Sequence, residues 1–344
     1  MAHGKHPDAG AERPCSLQTE QPVPEKTALV VVTYQNVDDT LRCLDSIYAM
    51  HRGPGRIIVV ENGSDAATVE ELFSAWQKLA EAYGEKPPAM YPADRSKPGT
   101  AVMLRVERNK GYACGCNAGL RAVMADDSCE AVWLLNNDVI VERDTLEALC
   151  DRLRMRPDAG MAASLLADMD SRHILQCAGG GSFSRISGVT RDLGAGWDVQ
   201  DTKQTSAEAL EARIDYVCGA SALLRRRALD AVGLMDERFY LYYEDVDYSL
   251  RLQRKKHTIS IAVNSIVYHK GGVTTSKERH IDFYATRNRL YCVLAYAPYS
   301  ILFTLLHVCC GILKSLLFGR FTSAKLRIRA VAAFLYQSHE SALP

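Results

Sequence analysis

Three polar residues, Asn136, Asn137 and Asp138, interrupt an apolar run that extends from Val132 to Val141. This pattern predicts a buried strand that delivers polar groups at its C-terminal end. Open α/β sheets bind ligands at that edge. A carboxylate is a hard ligand for a divalent cation that also holds phosphates, and amides can hydrogen-bond a nucleotide without adding charge. The triplet therefore predicts a metal-diphosphate site, with a polar turn between two strands as the alternative.

A second group of carboxylates lies between Gly233 and Arg251, among several tyrosines. Aromatic residues commonly line sugar sites, because their faces pack against C–H surfaces while their hydroxyls bond the rim. Glu244 and Asp245 stand just before a predicted helix, whose dipole should keep a carboxylate ionised. An ionised carboxylate in a pocket can act as a general base. The alternative is a surface helix whose acids pair with Arg251 and Arg254.

The first half of the chain contains the elements that would position these groups. Residues 28–34 form a β-branched apolar run, 38–40 offer N-caps for a helix, and 56–60 make a second strand. This βαβ unit brings the polar residues 33–36 and 61–65 to one sheet edge. A carboxylate there can bond a ribose hydroxyl or a base N–H, although a simple turn remains the alternative.

A glycine-rich stretch, residues 109–119, follows a predicted short strand at 103–106. Its glycines allow the backbone to approach a ligand or a neighbouring helix closely, and a helix N-terminus here would favour phosphate. The stretch fits neither the P-loop nor the dinucleotide-binding fingerprint.

Two proline-rich segments are predicted to lie outside the regular elements. Residues 1–26 are polar, contain four prolines and lack the apolar core of a secretory signal, so we expect a disordered leader. Residues 77–100 also contain four prolines and are predicted to be an inserted loop.

Composition limits the possible classes of protein. The 344 residues suit one large α/β domain with an appendage, or two domains. Lysine plus arginine and aspartate plus glutamate each total 41, so no overall attraction to nucleic acid is predicted. The 11 cysteines form no metal-type CxxC pair and many lie in apolar segments, which favours reduced thiols in the cytosol.

The C-terminal part is locally basic. Residues 283–339 contain no aspartate or glutamate but seven arginines and lysines, and 291–313 carry no charged residue other than His307. This length could span a bilayer, but Pro298 interrupts it. We expect helices that lie on or dip into the inner face of the plasma membrane, so that the protein is cytoplasmic and peripheral. A core-packing or dimerising helical pair, and hence a possible homodimer, is the alternative.

Four motifs occur in the order and spacing of family 2 glycosyltransferases: Val-Val-Thr-Tyr at 31–34, Val-Glu-Asn-Gly-Ser at 60–64, Asn-Lys-Gly-Tyr-Ala at 109–113 and Leu-Asn-Asn-Asp at 135–138. The sequence most resembles the bacterial rhamnosyltransferase branch. The resemblance implies an α/β, GT-A fold, with a Rossmann-like nucleotide-binding half and a mixed central sheet flanked by helices. The charge and apolar pattern of the C-terminal part adds a helical membrane-associating tail. The predicted divisions are a leader at 1–26, a nucleotide-sugar-binding half at 27–150, an acceptor-binding and catalytic half at 151–282, and a tail at 283–344.

The same resemblance assigns roles to individual residues. Asp245 would be the base that deprotonates the acceptor hydroxyl, with Glu244 positioning neighbouring groups. Asp138 and His269, the latter at the end of a strand predicted at 259–268, would bind Mg²⁺ or Mn²⁺. Arg287 and Asn288 would contact phosphate or acceptor. The donor-binding residues would be Thr33, Tyr34, Asn36, Glu61, Asn62, Asn109, Lys110, Gly111, Asn136, Asn137 and Asp138.

Two departures from the family pattern bear on donor and metal binding. Glu61 stands where the family usually has aspartate, which affects the prediction of base selectivity. Asn136 replaces the first aspartate of the family's DxD motif, so the metal site loses a charge and metal affinity should be lower.

The predicted function is an inverting, metal-dependent glycosyltransferase of cell-surface glycan synthesis. It would move a sugar, L-rhamnose by the resemblance, from a nucleotide-diphosphate donor (dTDP-L-rhamnose or a UDP-sugar) to a hydroxyl of a lipid-linked or polysaccharide acceptor. One alternative is a nucleotidyltransferase, but residues 33–36 offer no phosphate-cradling basic loop after the first strand. The other is a catalytically silent, membrane-bound sugar-binding or scaffold protein, in which Asn136 would reflect the loss of catalytic activity.

Overall fold

The computed structural model of the protein describes residues 21–95, 99–271 and 278–336, and its central element is a ten-stranded mixed sheet. The parallel strands of the first half are β1 (Thr27–Thr33), β2 (Arg56–Asn62), β3 (Ala89–Pro92), β4 (Ala101–Val106) and β5 (Ala131–Asn136). They lie in the order β3-β4-β2-β1-β5. Both β1 and β2 are buried along their whole length, as β-branched apolar runs in a sheet covered on both faces should be.

The helices of the first half cover both faces of this sheet. They are α1 (Val37–Tyr48), α2 (Ala66–Ala82), α3 (Tyr112–Met124) and α4 (Thr145–Met155). Successive residues of β1 point to opposite faces, so Val30 packs with Leu120 of α3 whereas Leu29 packs with Leu44 of α1. A Cβ at Gly119 would lie only 2.4 Å from Val30 Cγ1, so this glycine serves close helix–sheet contact.

The rest of the sheet comes from β6 at the end of the first half and from strands of the second half. These strands are β6 (Val139–Val141), β7 (Ala159–Asp168), β8 (Leu175–Cys177), β12 (Ser221–Arg225) and β13 (Thr258–His269). The order continues β5-β12-β7-β13-β6, with β8 paired to β7, and β12 runs antiparallel to both of its neighbours. The predicted boundary at residue 150 therefore falls inside α4, and the two halves share one sheet.

A small second sheet and four helices complete this half. The sheet consists of β9 (Gly180–Phe183), β10 (Thr190–Asp192) and β11 (Tyr216–Val217), in the order β10-β9-β11. The helices are α5 (Val199–Lys203), α6 (Ala207–Glu211), α7 (Arg226–Val232) and α8 (Glu244–Arg254).

The C-terminal part contains α9 (Glu278–Tyr296), α10 (Ile301–Leu317) and α11 (Phe321–Leu335). Cys292 and Val293 of α9 are fully buried and pack with Phe239 and Val246. The predicted tail boundary at 283 therefore lies within a helix that belongs to the core. Among the described residues, only the segment Pro298–Leu317 is long and apolar enough to cross a membrane, and little of it is buried.

Three local predictions differ from the structure. The N-cap of α1 is Asn36 rather than one of residues 38–40, because its Oδ1 accepts the backbone N–H of Asp39. The predicted loop at 77–100 contains the end of α2 and the edge strand β3, which pairs with β4. Of the predicted leader, residues 1–20 lie outside the described residues, whereas Pro24–Lys26 form a 3₁₀ helix with Pro24 buried.

Candidate functional site

Asp138 and His269 lie side by side at the C-terminal edge of the sheet. Asp138 follows β5, and His269 ends β13 opposite Val139 of β6. Asp138 Oδ1 is 3.4 Å from His269 Nε2, and Asn136 Nδ2 is 3.5 Å from the same ring nitrogen. The structure therefore brings together the two predicted metal ligands and the amide that replaces the missing carboxylate.

The hydrogen bonds of Gln176 fix the proton of His269. The amide nitrogen of Gln176 donates to Asp168 Oδ2 at 3.0 Å and to the His269 carbonyl at 2.9 Å. Its Oε1 must therefore accept from His269 Nδ1, which lies 2.9 Å away. With Nδ1 as the donor, a neutral His269 ring carries its lone pair on Nε2, the ring nitrogen nearest Asp138, and this is the tautomer that a metal-binding histidine requires.

The chemistry of this pair suits a divalent cation that also binds the donor. No group of three or more histidine, cysteine or acidic side chains that could hold a metal occurs in the described part of the chain. Mg²⁺ commonly uses one or two protein ligands and completes its coordination with substrate phosphates. Asp138 and His269 fit a cation of that kind, Mg²⁺ or Mn²⁺.

Thr33 and Glu61 stand opposite each other at the ends of β1 and β2. The Glu61 side chain is 1% exposed, and its Oε1 accepts the backbone N–H of Ser64 at 2.7 Å. Its Oε2 has no hydrogen-bond partner within the described structure. A buried oxygen left unpaired is costly, so this atom is suited to a ribose hydroxyl or a base N–H. Tyr34, 41% exposed, stands beside it at the same edge.

Residues 109–111 were predicted to bind the donor, but most of their hydrogen bonds hold the loop before α3 in place. Asn62 Nδ2 donates to the Gly111 carbonyl at 3.1 Å, and Asn109 Oδ1 accepts the Gly111 N–H at 2.9 Å. Gly111 has φ +98°, and a Cβ there would lie 2.3 Å from the Tyr240 carbonyl. A glycine is therefore required at position 111, because the backbone there approaches the Tyr240 carbonyl closely. The Lys110 side chain is exposed and can reach a ligand.

Asn36 and Asn137 were also predicted to bind the donor, but their side-chain amides form hydrogen bonds within the protein. Asn36 caps α1 and donates to Asp39 Oδ2 at 3.0 Å. Asn137 Nδ2 donates to Thr40 Oγ1 at 2.9 Å and to Thr33 Oγ1 at 3.3 Å. These bonds fasten the turn after β5 to α1, so both residues shape the site.

Glu244 and Asp245 are the first two residues of α8, after Tyr242 and Tyr243, whose φ values are +69° and +70°. Asp245 Oδ2 accepts the backbone N–H of Gly219 at 3.1 Å, and Oδ1 accepts that of Val246 at 2.8 Å. Glu244 is buried, and its Oε2 makes no hydrogen bond in the residues described.

Burial raises the pKa of both carboxyls, and the charge of Asp245 raises the pKa of Glu244 further. The sequence predicted that the helix dipole would keep a carboxylate at this position ionised. Backbone N–H bonds do favour the charged form of Asp245, but desolvation opposes them and raises the pKa of its carboxyl. The pair therefore retains a proton to higher pH than exposed carboxyls would.

Comparison with known proteins connects this geometry to a family. The profile of the family described as "Glycosyltransferase like family 2" matches residues 24–289. The chain belongs to this glycosyltransferase family. The match covers both the Asp138–His269 corner and the Glu244–Asp245 pair, and it confirms the predicted enzyme class.

Individual relatives agree with the family assignment. The chain is 28% identical over 259 residues to an N-acetylglucosaminyl-diphospho-decaprenol L-rhamnosyltransferase of Mycobacterium tuberculosis, a match that spans 72% of this chain and 76% of that protein. The same similarity is found in two strains, CDC 1551 / Oshkosh and H37Rv. The predicted likeness to bacterial rhamnosyltransferases is confirmed.

Solved structures confirm the GT-A fold. A mannosyltransferase of Pyrobaculum calidifontis in complex with GDP-Man and Mn²⁺ superposes with a TM-score of 0.52 at 13% identity, over 91% of this chain and 88% of that one. GalNAc-T7 with UDP, GalNAc and Mn²⁺ gives a TM-score of 0.54 at 14% identity, over 80% of this chain and 51% of that one.

Arg287 and Asn288, which the sequence predicted to contact phosphate or acceptor, are buried in this glycosyltransferase. Arg287 is 1% exposed, lies against the rings of Phe283, Tyr284 and Tyr291, and donates to the Arg238 carbonyl at 2.7 Å. Asn288 is fully buried. Its Nδ2 donates to the carbonyls of residues 241 and 242 at 2.8 and 2.7 Å. Both side chains therefore hold the backbone that leads into Glu244.

Sequence reasoning missed two residues that organise the glycosyltransferase site. Gln176 contacts His269 across 93 residues, and Gly219 contacts Asp245 across 26. A lone glutamine or glycine carries no local signal of such a contact.

Proposed function

We propose that the protein is an inverting, metal-dependent glycosyltransferase that transfers a sugar from a nucleotide diphosphate to a hydroxyl of a lipid-linked acceptor. The observation that carries this proposal is the convergence of two sites on one turn. Gly219 bonds Asp245, and the next residue, Ala220, accepts the backbone N–H of Asn136 at 3.0 Å. A candidate base and a candidate cation corner are thus joined by two consecutive residues.

The donor would lie along the C-terminal edge of β1, β2 and β5. The unpaired Oε2 of Glu61 receives a hydrogen bond from the base or ribose, and Tyr34 covers the nucleotide from its exposed position. Asp138 and His269 would hold the Mg²⁺ or Mn²⁺ ion. When bound, that ion supplies positive charge beside the departing diphosphate.

Asp245 then performs the proton transfer. The acceptor hydroxyl gives its proton to the Asp245 carboxylate while its oxygen forms a bond to the anomeric carbon. The bond between that carbon and the diphosphate oxygen breaks, and the nucleoside diphosphate leaves with the electron pair. One displacement from the opposite face inverts the anomeric centre. Glu244, protonated at neutral pH by its burial, avoids a second charge beside the base.

The relatives guide the choice of substrates. The mycobacterial relative is named for an N-acetylglucosaminyl-diphospho-decaprenol acceptor and for L-rhamnose, so dTDP-L-rhamnose and a diphosphate-linked isoprenoid acceptor are the substrates we propose. The exposed apolar residues of α10 would place the enzyme on the cytoplasmic face of the membrane.

The direct test is transfer with and without EDTA. Thermal shift with Mn²⁺ and a panel of nucleotide sugars first identifies the donor, because a ligand that binds the native state stabilises it. The identified donor is then supplied with a diphosphate-linked acceptor. We expect transfer that EDTA abolishes and a product of inverted configuration. A nucleotidyltransferase would instead release pyrophosphate, and a silent sugar-binding protein would bind donor without turnover.

A further inference from the structure

A cavity of about 300 Å³ lies between the C-terminal helices and the catalytic half, and the mechanism above does not use it. Its lining comes from α9, α10 and α11, together with residues 189–190 and Tyr243. The lining residues on which the argument rests are Tyr243, Asp282, Arg289, His307, Val308 and Arg327.

The cavity carries an excess of positive charge among the lining side chains that the structure describes. Two guanidiniums, Arg289 and Arg327, face one carboxylate, Asp282, which is paired with Arg327 at 2.7 Å. Arg289 donates to the Ser187 carbonyl at 2.5 Å, and its Nη2 lies 2.8 Å from His307 Nδ1. Burial lowers the pKa of Arg289, Tyr243 opposes that shift, and the positive charge of Arg327 adds to it, so the two guanidiniums are close enough to repel each other.

The cavity also touches the start of α8. Tyr243 lines it and donates from its hydroxyl to the Gly188 carbonyl at 2.9 Å. The next two residues along the chain are Glu244 and Asp245, and consecutive Cα atoms are only about 3.8 Å apart. The cavity is therefore lined by a residue that lies two positions before the proposed base in the chain.

The other side of the cavity leads to an apolar surface. His307 lies on α10, and Phe303, one helical turn before it, is 59% exposed. Leu306 beside it is 60% exposed. A molecule with an anionic group in the cavity and a hydrocarbon chain leaving past His307 would find an apolar path along α10.

We propose that this cavity binds the diphosphate of an isoprenoid-linked acceptor. The sugar extends toward Asp245 and the lipid follows Phe303 and Leu306. Guanidiniums bind phosphate oxygens through charge-assisted, often bidentate hydrogen bonds, which Arg289 and Arg327 are placed to supply. This inference rests on the proposed glycosyl transfer to a lipid-linked acceptor.

The first test compares two acceptors that differ in the diphosphate. One is N-acetylglucosamine joined through a diphosphate to a short isoprenoid, and the other is octyl N-acetylglucosaminide. We expect Arg327→Gln to raise KM for the diphosphate acceptor by about tenfold or more while kcat, the donor KM and the octyl acceptor KM stay unchanged. Arg329→Gln, an exposed change on the same helix, is the matched control. Equal effects of Arg327→Gln on both acceptors, or none on either, would overturn the proposal.

His307→Glu provides a second variant, because it places a negative charge at the exposed mouth of the cavity and leaves the Arg327–Asp282 pair intact. It should raise the same KM without lowering thermal stability. If Arg327→Gln fails to fold, this variant decides alone. An unchanged KM for the diphosphate acceptor would then count against the site.

Direct binding separates this inference from the proposed function. Calorimetry of the full-length protein with inorganic pyrophosphate in EDTA should show binding in the wild type and in Arg329→Gln, and about tenfold weaker binding or more in Arg327→Gln. If the wild type transfers sugar to neither acceptor, the proposed function fails, yet this measurement still tests the cavity. Indistinguishable binding in all three proteins would refute it.

Vesicles distinguish an acceptor diphosphate from a phospholipid headgroup. Arg327→Gln and Arg329→Gln should bind anionic vesicles to the same extent, since each removes one charge from α11. Selective loss of vesicle binding in Arg327→Gln would mean that the cavity takes headgroup phosphate, and the acceptor assignment would be wrong.

Discussion

The backbone N–H of Gly219 donates a hydrogen bond to Asp245 Oδ2 at 3.1 Å. The neighbouring carbonyl of Ala220 accepts the N–H of Asn136, the first residue of the polar triplet after β5. A Cβ at Gly219 would lie 3.3 Å from Asp245 Cβ, so the two elements are in close contact. The position of the proposed base is thus fixed relative to Asp138 by a short, bonded path.

Asp245→Asn should abolish most of the transfer activity while leaving the fold intact. The amide oxygen can keep one of the two backbone N–H bonds, from Gly219 or from Val246, but an amide cannot take the acceptor proton, so we expect kcat to fall by about 10²–10⁴-fold. In the wild type, kcat/KM should also fall on acidification at a pH above the ordinary carboxyl range, because burial raises the pKa of Asp245. Steady-state rates and pH profiles check both points. Asp230→Asn, an exposed change, is the control, and full activity in Asp245→Asn would exclude this base.

Glu244→Gln should stabilise the protein increasingly as pH rises. Burial raises the folded-state pKa of Glu244 above its unfolded value, so ionisation of this carboxyl disfavours folding once the pH passes the unfolded value of about 4.3. Between the unfolded and the folded pKa, the wild type loses about 1.4 kcal/mol of stability for each rise of one in pH, whereas the glutamine variant does not. Urea unfolding from pH 4 to 9 measures the difference. Glu71→Gln, at an exposed position, should show none, and a constant difference for Glu244→Gln would contradict the burial argument.

The sequence predicted those features that depend on neighbouring residues. The apolar runs gave β1, β2 and β13, and parallel topology correctly placed Thr33 beside Glu61. Features that depend on distant contacts were not predictable: nothing near Arg287 shows that three aromatic rings enclose it. The raised pKa of Asp245 was not predictable for the same reason, since the helix dipole is a local property whereas burial depends on the whole fold.

Gln176→Leu should weaken metal binding by about 10–100-fold, because a lost hydrogen bond to a ligating histidine frees its tautomer and its ring orientation. The readout is Mn²⁺-dependent binding of nucleoside diphosphate, measured by calorimetry, together with the Mn²⁺ concentration that gives half-maximal activity. Gln200→Leu, at an exposed position, is the matched control. Unchanged Mn²⁺ dependence would show that Gln176 does not orient a metal ligand, and the Asp138–His269 contact would then be a polar contact without a metal-binding role.

Asn136→Asp is the complementary change to the same corner. It places a second carboxylate beside His269 Nε2, where the amide now lies 3.5 Å away. It should strengthen Mn²⁺ binding to the protein without nucleotide, which we expect to be weak in the wild type. No gain in Mn²⁺ affinity would indicate that residue 136 does not face the cation.

Asn288→Ala should lower both stability and kcat. It leaves the carbonyls of residues 241 and 242 without their buried donor, at a cost of about 1–3 kcal/mol. The left-handed backbone of Tyr242 and Tyr243 then loses support just before Glu244. Urea unfolding and separate KM values for donor and acceptor measure the effect. Unchanged stability with a raised KM would contradict this structural role and support the phosphate or acceptor contact that the sequence predicted.

Exposed leucines of α10 should determine membrane binding. Leu302, Leu306 and Leu317 are 78%, 60% and 76% exposed, and each full burial of a leucine is worth about 1.5–3 kcal/mol. Substituting all three by serine should therefore reduce binding to anionic vesicles by at least about tenfold, measured by cosedimentation. Transfer to a water-soluble acceptor should persist, because these side chains do not belong to the core.

Substitution is a sharper test of this surface than truncation. Deletion from residue 291 would remove Cys292 and Val293, which are fully buried in the core, and the protein would lose its fold with its tail. Met155→Ser, an exposed apolar change on α4, is the control for lost hydrophobicity. If the triple variant binds vesicles like the wild type but changes from dimer to monomer in light scattering, the apolar face of α10 is a dimer contact. In that case the membrane assignment is wrong, because the leucines are covered by a second copy of the chain rather than by lipid.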